Sequence, residues 1–197
     1  YDAYADRVLT DLSVSPASVT FERDEVPTDE SNWEIGGDYM HVFGSGNRWK
    51  TLFIVNDRDN NSVRSRYQLD GESRERDLFL SNIERTRERI VRSSYIANLT
   101  ETQSVEAGVE RAQTILDTSL QLGLAGSTSG GERFGGLAAV TDSVGTVEEM
   151  RYEYFAIHNW QLNARMSIES TMLFEDSTIA QTGSIDRSRD FTFFRPR

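Results

Sequence analysis

From Glu149 onward the side chains alternate one by one. Glu149, Arg151, Glu153, Phe155, Ile157 and Asn159 fall on one parity, and Met150, Tyr152, Tyr154, Ala156, His158 and Trp160 on the other. After Leu162-Asn163-Ala164-Arg165 the alternation resumes, with Met166, Ile168, Ser170, Met172 and Phe174 opposing Ser167, Glu169, Thr171, Leu173 and Glu175. A repeat of two is the signature of an extended strand with two unlike faces, and two such runs across a short Asn-containing break read as a hairpin. Weaker versions of the same rhythm predict strands over 2–13, 32–43, 49–57, 77–99, 104–123, 146–162 and 165–177, with a further one beginning near 190.

The breaks between these runs come in two kinds. Phe43–Arg48, Leu99–Ser104 and Leu162–Arg165 are short, and Gly44, Gly46 and Asn47 suit tight turns. Asp57–Asp77, Leu124–Gly145 and Ser177–Arg189 are long and polar, as solvated loops are. Short and long breaks alternate along the chain. That order predicts an all-β antiparallel meander of about seven or eight strands, with tight turns at one rim and long loops at the other, forming part of a large transmembrane β-barrel. Residues 1–197 then form one partial barrel domain. Glu84-Arg85-Thr86-Arg87-Glu88-Arg89 also fits a solvated helix with charge pairs at helical spacing. The strand reading is favoured because Val91, Ser93, Tyr95, Ala97 and Leu99 continue it as one mild face against Arg92, Ser94, Ile96 and Asn98.

Parity also assigns the faces. Glu149, Arg151, Glu153, Glu169 and Glu175 are expected in a wet lumen, and Tyr152, Tyr154, Ile168, Met172 and Phe174 against lipid. An Arg or Lys on the lipid face costs about 2–4 kcal/mol at mid-depth, whereas a wet lumen accepts it. Phe155 and Ile157 run against this assignment, and a bulge there would switch the face. Trp33, Phe43, Trp49 and Trp160 are the candidates for aromatic girdles, since ten residues of strand tilted by about 40° rise roughly 25 Å, the height of an apolar band. The same tryptophans would equally fill the core of a soluble sandwich.

Composition then narrows the chemistry. The absence of cysteine removes thiol catalysis, disulfides and Cys-based zinc sites. A net charge of −11 argues against a nucleic-acid surface, which needs clustered Lys and Arg. No apolar run approaches the roughly 18 residues of a membrane helix, and no signal peptide opens the chain. The start at Tyr1 and the half-strand at Phe193–Arg197 suggest a part of a longer polypeptide. The two histidines, His41 and His158, have no metal-binding spacing. His158 across the 161–165 turn from Ser167 and Ser170 permits a Ser–His pair, against which a girdle histidine is the stronger reading. Gly44-Ser45-Gly46-Asn47 is a hairpin turn rather than a phosphate loop, for want of a following Lys and helix. Asp57, Asp59, Asn60 and Asn61 form a sparse calcium-like pattern without the Gly and terminal Glu of a true loop. Asn60-Asn61-Ser62 and Asn98-Leu99-Thr100 match the glycosylation pattern by composition alone. No catalytic residue, metal or cofactor is assigned.

The stretches Trp33–Tyr39, Arg48–Phe53, Glu106–Glu110, His158–Asn163 and Ser167–Thr171 resemble the barrel portion of TonB-dependent outer-membrane receptors. The likeness covers most of 32–197 and lies in strand cadence and turn-adjacent residues. It implies a 22-stranded barrel in the bacterial outer membrane, closed by an N-terminal plug and importing siderophores, cobalamin, sugars or other scarce solutes. The implied partners are outer-membrane lipid, the remaining barrel strands, the plug, an inner-membrane energy-coupling protein and a small-molecule ligand that the loops do not identify. Plug and energy-coupling box would lie upstream of this sequence. The alternatives are a soluble or surface-exposed all-β binding module, or a self-contained small outer-membrane barrel.

Overall fold

The computed structural model describes the backbone of residues 2–126 and 128–196. Eight strands form one antiparallel sheet in sequence order: β1 Asp2–Asp11, β2 Ser18–Val42, β3 Arg48–Asp70, β4 Ser73–Asn98, β5 Gln103–Leu124, β6 Ala138–Asn163, β7 Met166–Gly183 and β8 Arg187–Pro196. β1 and β8 are its two edges. β1 pairs with β2 from Asp2↔Pro27 to Asp11↔Ser18, and β8 pairs with β7 from Met172↔Pro196 to Gln181↔Arg187. The only helical turn among the described residues is Glu132–Phe134, a single 3₁₀ turn inside the β5–β6 connection. The chain is therefore all-β, and the meander read from the alternating breaks is its topology.

The helical alternative for Glu84–Arg89 is overturned, because these residues lie inside β4. Their charges find partners across the sheet rather than along a helix: both guanidinium nitrogens Nε and Nη2 of Arg85 donate to the carboxylate of Asp59.

The expected long loop at Asp57–Asp77 needs a larger correction. β3 runs to Asp70, β4 begins at Ser73, and Gly71-Glu72 alone turns the chain, with Gly71 at φ +58° where a side chain would be strained. What keeps this polar hairpin in register is cross-strand pairing. Arg66 holds Asp77 through Nε at 2.9 Å and Nη2 at 3.0 Å, and Gln68 adds a bond to Asp77 at 3.2 Å. Residues 18–31, which fall outside the strands expected from the sequence, open β2 and are paired with β1 from Ser18 to Pro27. At the other two long breaks the connections are 125–137 and 184–186, the strands reaching further than expected at both.

Contacts divide the chain into two units. The first comprises Tyr1–Ser31, Arg58–Arg85 and Asp117–Gly145, and the second Asn32–Asp57, Thr86–Leu116 and Thr146–Arg197. In the first, the buried residues are Glu22, Asp24, Ser65, Asp77 and Ser81, joined by Phe134 from the β5–β6 connection. In the second, Ile96, Ala112 and Phe155 are buried together with Ser94, Glu175 and Ser177.

Candidate functional site: two unlike faces in the second unit

The carboxylates and arginines of the second unit are knitted into a ladder. Arg92 on β4 reaches Glu110 on β5 at 3.8 Å. Arg151 on β6 reaches the other oxygen of Glu110 at 3.4 Å and Glu153 at 3.1 Å. Glu110 thus stands between two guanidinium groups, and its side chain is largely covered while theirs stay partly wet. Further along, Arg195 on β8 holds the buried carboxylate of Glu175 on β7 at 3.1 Å. Pairing of this kind is what allows carboxylates to be covered at all.

Phe155 sits on this charged face, against Arg92. The Arg92 guanidinium lies 4.2 Å from its ring centroid, and Gly108 leaves room for the ring: a Cβ there would stand 2.5 Å from Phe155 Cζ and 2.6 Å from the Ser93 carbonyl oxygen. One aromatic ring is thus the floor under an arginine. Among the residues picked from sequence for this face, Arg151 and Glu153 pair with each other and Glu175 with Arg195. Glu149 lies beside Arg151 in a small recess shared with Glu88 and Thr114. Glu169 shares Glu175's parity and is exposed. Arg92, Glu110 and Arg195 were missed, because nothing local in the sequence says which charge on β4, β5 or β8 meets which on the next strand.

The opposite parity is apolar and uncovered. Tyr154, at 51% exposure, lies 6.2 Å from the ring of Phe174, and Ile168 and Met172 are exposed beside them on β7. Near the β2–β3 turn the rings meet in two groups: His41 packs edge-on to Phe43 at 4.6 Å and Phe43 meets Tyr95 at 5.9 Å, while Tyr39 meets Trp49 at 6.0 Å. Polar tips in both groups are bonded, Trp49 Nε1 donating to Ser93 Oγ at 2.9 Å and Asn47 Nδ2 to Tyr95 Oη at 3.0 Å. Trp49 and Tyr95 thus combine an apolar ring body with a satisfied polar tip. Of the four tryptophan and phenylalanine candidates, Phe43 and Trp49 belong to these two ring groups, whereas Trp33 and Trp160 are exposed elsewhere on the unit. The hydrogen-bond partner of His158 is Gln103 at 3.3 Å rather than Ser167 or Ser170.

The first unit carries a different arrangement. Asp24 is gripped by Arg64, whose Nε and Nη2 donate at 3.0 and 3.1 Å, and by Arg7 at 3.1 Å. The Arg64 hydrogen bond holds its carboxyl below the ordinary range against the opposing effect of burial, and the charges of Arg64, Arg7 and Arg66 add to this. Tyr67 lies between Arg74, 3.5 Å from the ring centroid, and Arg76, which donates to its hydroxyl at 2.9 Å. Burial raises the Tyr67 phenol, but hydrogen bonds from Arg76 and Ser65 and the nearby positive charge bring it below its ordinary value. Arg76 also donates to the Gly135 carbonyl at 3.1 Å, tying the β5–β6 connection to the β3–β4 hairpin.

No protein-family model matches this sequence, and no curated protein matches it.

Proposed function

We propose that this chain is a stretch of the wall of a TonB-dependent outer-membrane transporter that imports a scarce solute such as a siderophore, a vitamin or a carbohydrate. The observation that carries the reading is the inverted polarity of the second unit. Its paired carboxylates and arginines lie on the more covered parity, while Tyr154, Met172, Phe174 and Ile168 stand uncovered on the other. In water each such side chain forgoes about 1.5–3 kcal/mol of burial, whereas hydrocarbon solvates it. Strands whose apolar parity is bounded by Tyr and Trp and whose polar parity carries paired charge suit a barrel with lipid outside and water inside.

The sheet order supports a segment of a larger wall over a self-contained eight-stranded barrel, since β1 and β8 are edges and open edges in hydrocarbon cost several kcal/mol per orphan backbone group. A soluble binding module is the second reading, and it requires a further layer over Tyr154 and Phe174. Energy coupling, plug and solute import rest on the resemblance of the strand cadence.

The test uses the full-length protein in its own host. Outer-membrane fractionation with heat-modifiable migration, and solute uptake that stops when the proton gradient is collapsed, is the expected outcome. A water-soluble protein, or uptake indifferent to the gradient, contradicts the proposal.

A further inference from the structure

The charged parity of the second unit contains a recess of about 670 Å³. Its apolar side is formed by Met40 on β2 and by Leu52 and Ile54 on β3. Gly36 lines it without a side chain, and a Cβ built there would stand 3.3 Å from the Phe53 carbonyl oxygen. Around the apolar side stand Asp38, Lys50 and Glu106. None of these three makes an ion pair or a side-chain hydrogen bond among the described residues, unlike Arg92, Glu110, Arg151 and Glu153 on the neighbouring strands. Arg92, which also borders the recess, is engaged by Glu110 and by the Phe155 ring. The unclaimed charges are therefore one ammonium and two carboxylates beside an apolar patch. Small-molecule sites have this make-up, an apolar wall with a few convergent polar groups, and this volume.

We propose that this recess binds a small zwitterionic solute with an apolar body, the chemistry of an aliphatic amino acid or a short apolar peptide. Lys50 takes its carboxylate, Asp38 and Glu106 its ammonium, and Met40, Leu52 and Ile54 its side chain. Charge complementarity selects this class. A simple anion would meet two carboxylates, a simple cation would meet Lys50, and a neutral sugar would leave three charged groups partly desolvated without partners. The inference deepens the transport reading, since it rests on this face lining the water-filled path.

The probe is L-leucyl-L-leucine, titrated by calorimetry into the purified full-length protein in detergent. Saturable binding is expected, weakened about tenfold by amidation of the peptide carboxyl group and about tenfold by acetylation of its amine. Lys50→Met should lose about tenfold for the free peptide and nothing more for the amide, and Asp38→Asn should behave likewise toward the acetylated peptide. Protection of Leu52→Cys from a charged maleimide by the peptide gives a second readout that does not depend on the charge variants. Absence of saturable binding, variants that bind as the parent does, or equal binding of the doubly blocked peptide overturns the proposal. Labelling of Tyr154→Cys by a bilayer-confined reagent reports on the transport reading separately: lipid labelling there with no peptide binding sinks the ligand and leaves the wall, while water labelling there sinks the wall.

Discussion

The two units are built from the same strands of the same sheet, yet their side chains hold them in opposite ways. In the first, guanidinium–carboxylate pairs are strung along β1 to β4: Asp6 with Arg23, Asp24 with Arg7 and Arg64, Glu25 with Arg74, Asp77 with Arg66. Both parities carry charge there, as expected of strands with water on either side. In the second, charge is confined mainly to one parity and aromatic rings meet on the other. The backbone is the same antiparallel sheet in both, so the difference lies in the side chains alone. The comparison teaches that the length of a strand and the length of its apolar parity are separate quantities: β2 is 25 residues long, and the apolar parity between Trp33 and Phe43 occupies only its later part.

Charge placed on the apolar parity breaks the comparison most sharply. Phe174→Arg or Tyr154→Arg should each destabilise the full-length protein in bilayers by about 2–4 kcal/mol, whereas Val19→Arg, an equally exposed position in the first unit, should stay within about 0.5 kcal/mol. Denaturant unfolding in lipid vesicles measures both, and equal costs would erase the distinction between the units. Next in size is Gly108→Ala. The new methyl would meet the Phe155 ring and the Ser93 carbonyl oxygen, an overpacking that should cost about 1–3 kcal/mol and displace the ring from beneath Arg92. A smaller effect is expected from Asp24→Asn, which leaves Arg64 and Arg7 without their shared anion. It should lower stability by about 1–2 kcal/mol in the same unfolding assay and leave reagent access to the Tyr154 face unchanged.

Acid should separate the units without mutation. The folded Asp24 carboxyl titrates below its ordinary value because Arg64, Arg7 and Arg66 stabilise the anion, so its contribution is fully present above the unfolded value of about 4 and fades as pH falls through the folded one. Limited pepsin digestion at about pH 3 should therefore cut first within 18–31 or 58–85, before the β6–β7 hairpin. Cleavage beginning between Met150 and Phe174 would contradict this.

How far the sequence was legible follows the same division. Over 149–175 one parity is apolar and the other charged, so both the strands and their faces could be read residue by residue. Over 57–77 charge falls on both parities and local composition is that of a loop, while the pairing across its hairpin, Arg66 with Asp77, and the one that ties it to β2, Arg64 with Asp24, join residues whose proximity only the fold supplies. Phe155 was the misleading residue on β6. Its place on the charged face depends on Gly108 and Arg92, one on each of two other strands, and no period within β6 reveals them. The aromatic cluster was half legible, since Phe43 and Trp49 flank a turn that Gly and Asn announce, whereas Tyr39 and Tyr95 join them only through cross-strand contact.

The central claim is that the second unit turns one parity to lipid and the other to water, and because these 197 residues contain no cysteine, single replacements along β6 and β7 can test it directly. Cysteines placed in turn at Glu149 through Phe155 and at Ile168 through Glu175 of the full-length protein, in native membranes, would be reacted in parallel with a bilayer-confined maleimide and a membrane-impermeant one. The account predicts a repeat of two, with Tyr152, Tyr154, Ile168, Met172 and Phe174 taking the lipid reagent and Arg151, Glu153, Glu169 and Glu175 refusing it. A flat profile, or one in which the Tyr154 parity reacts only with the aqueous reagent, would contradict it.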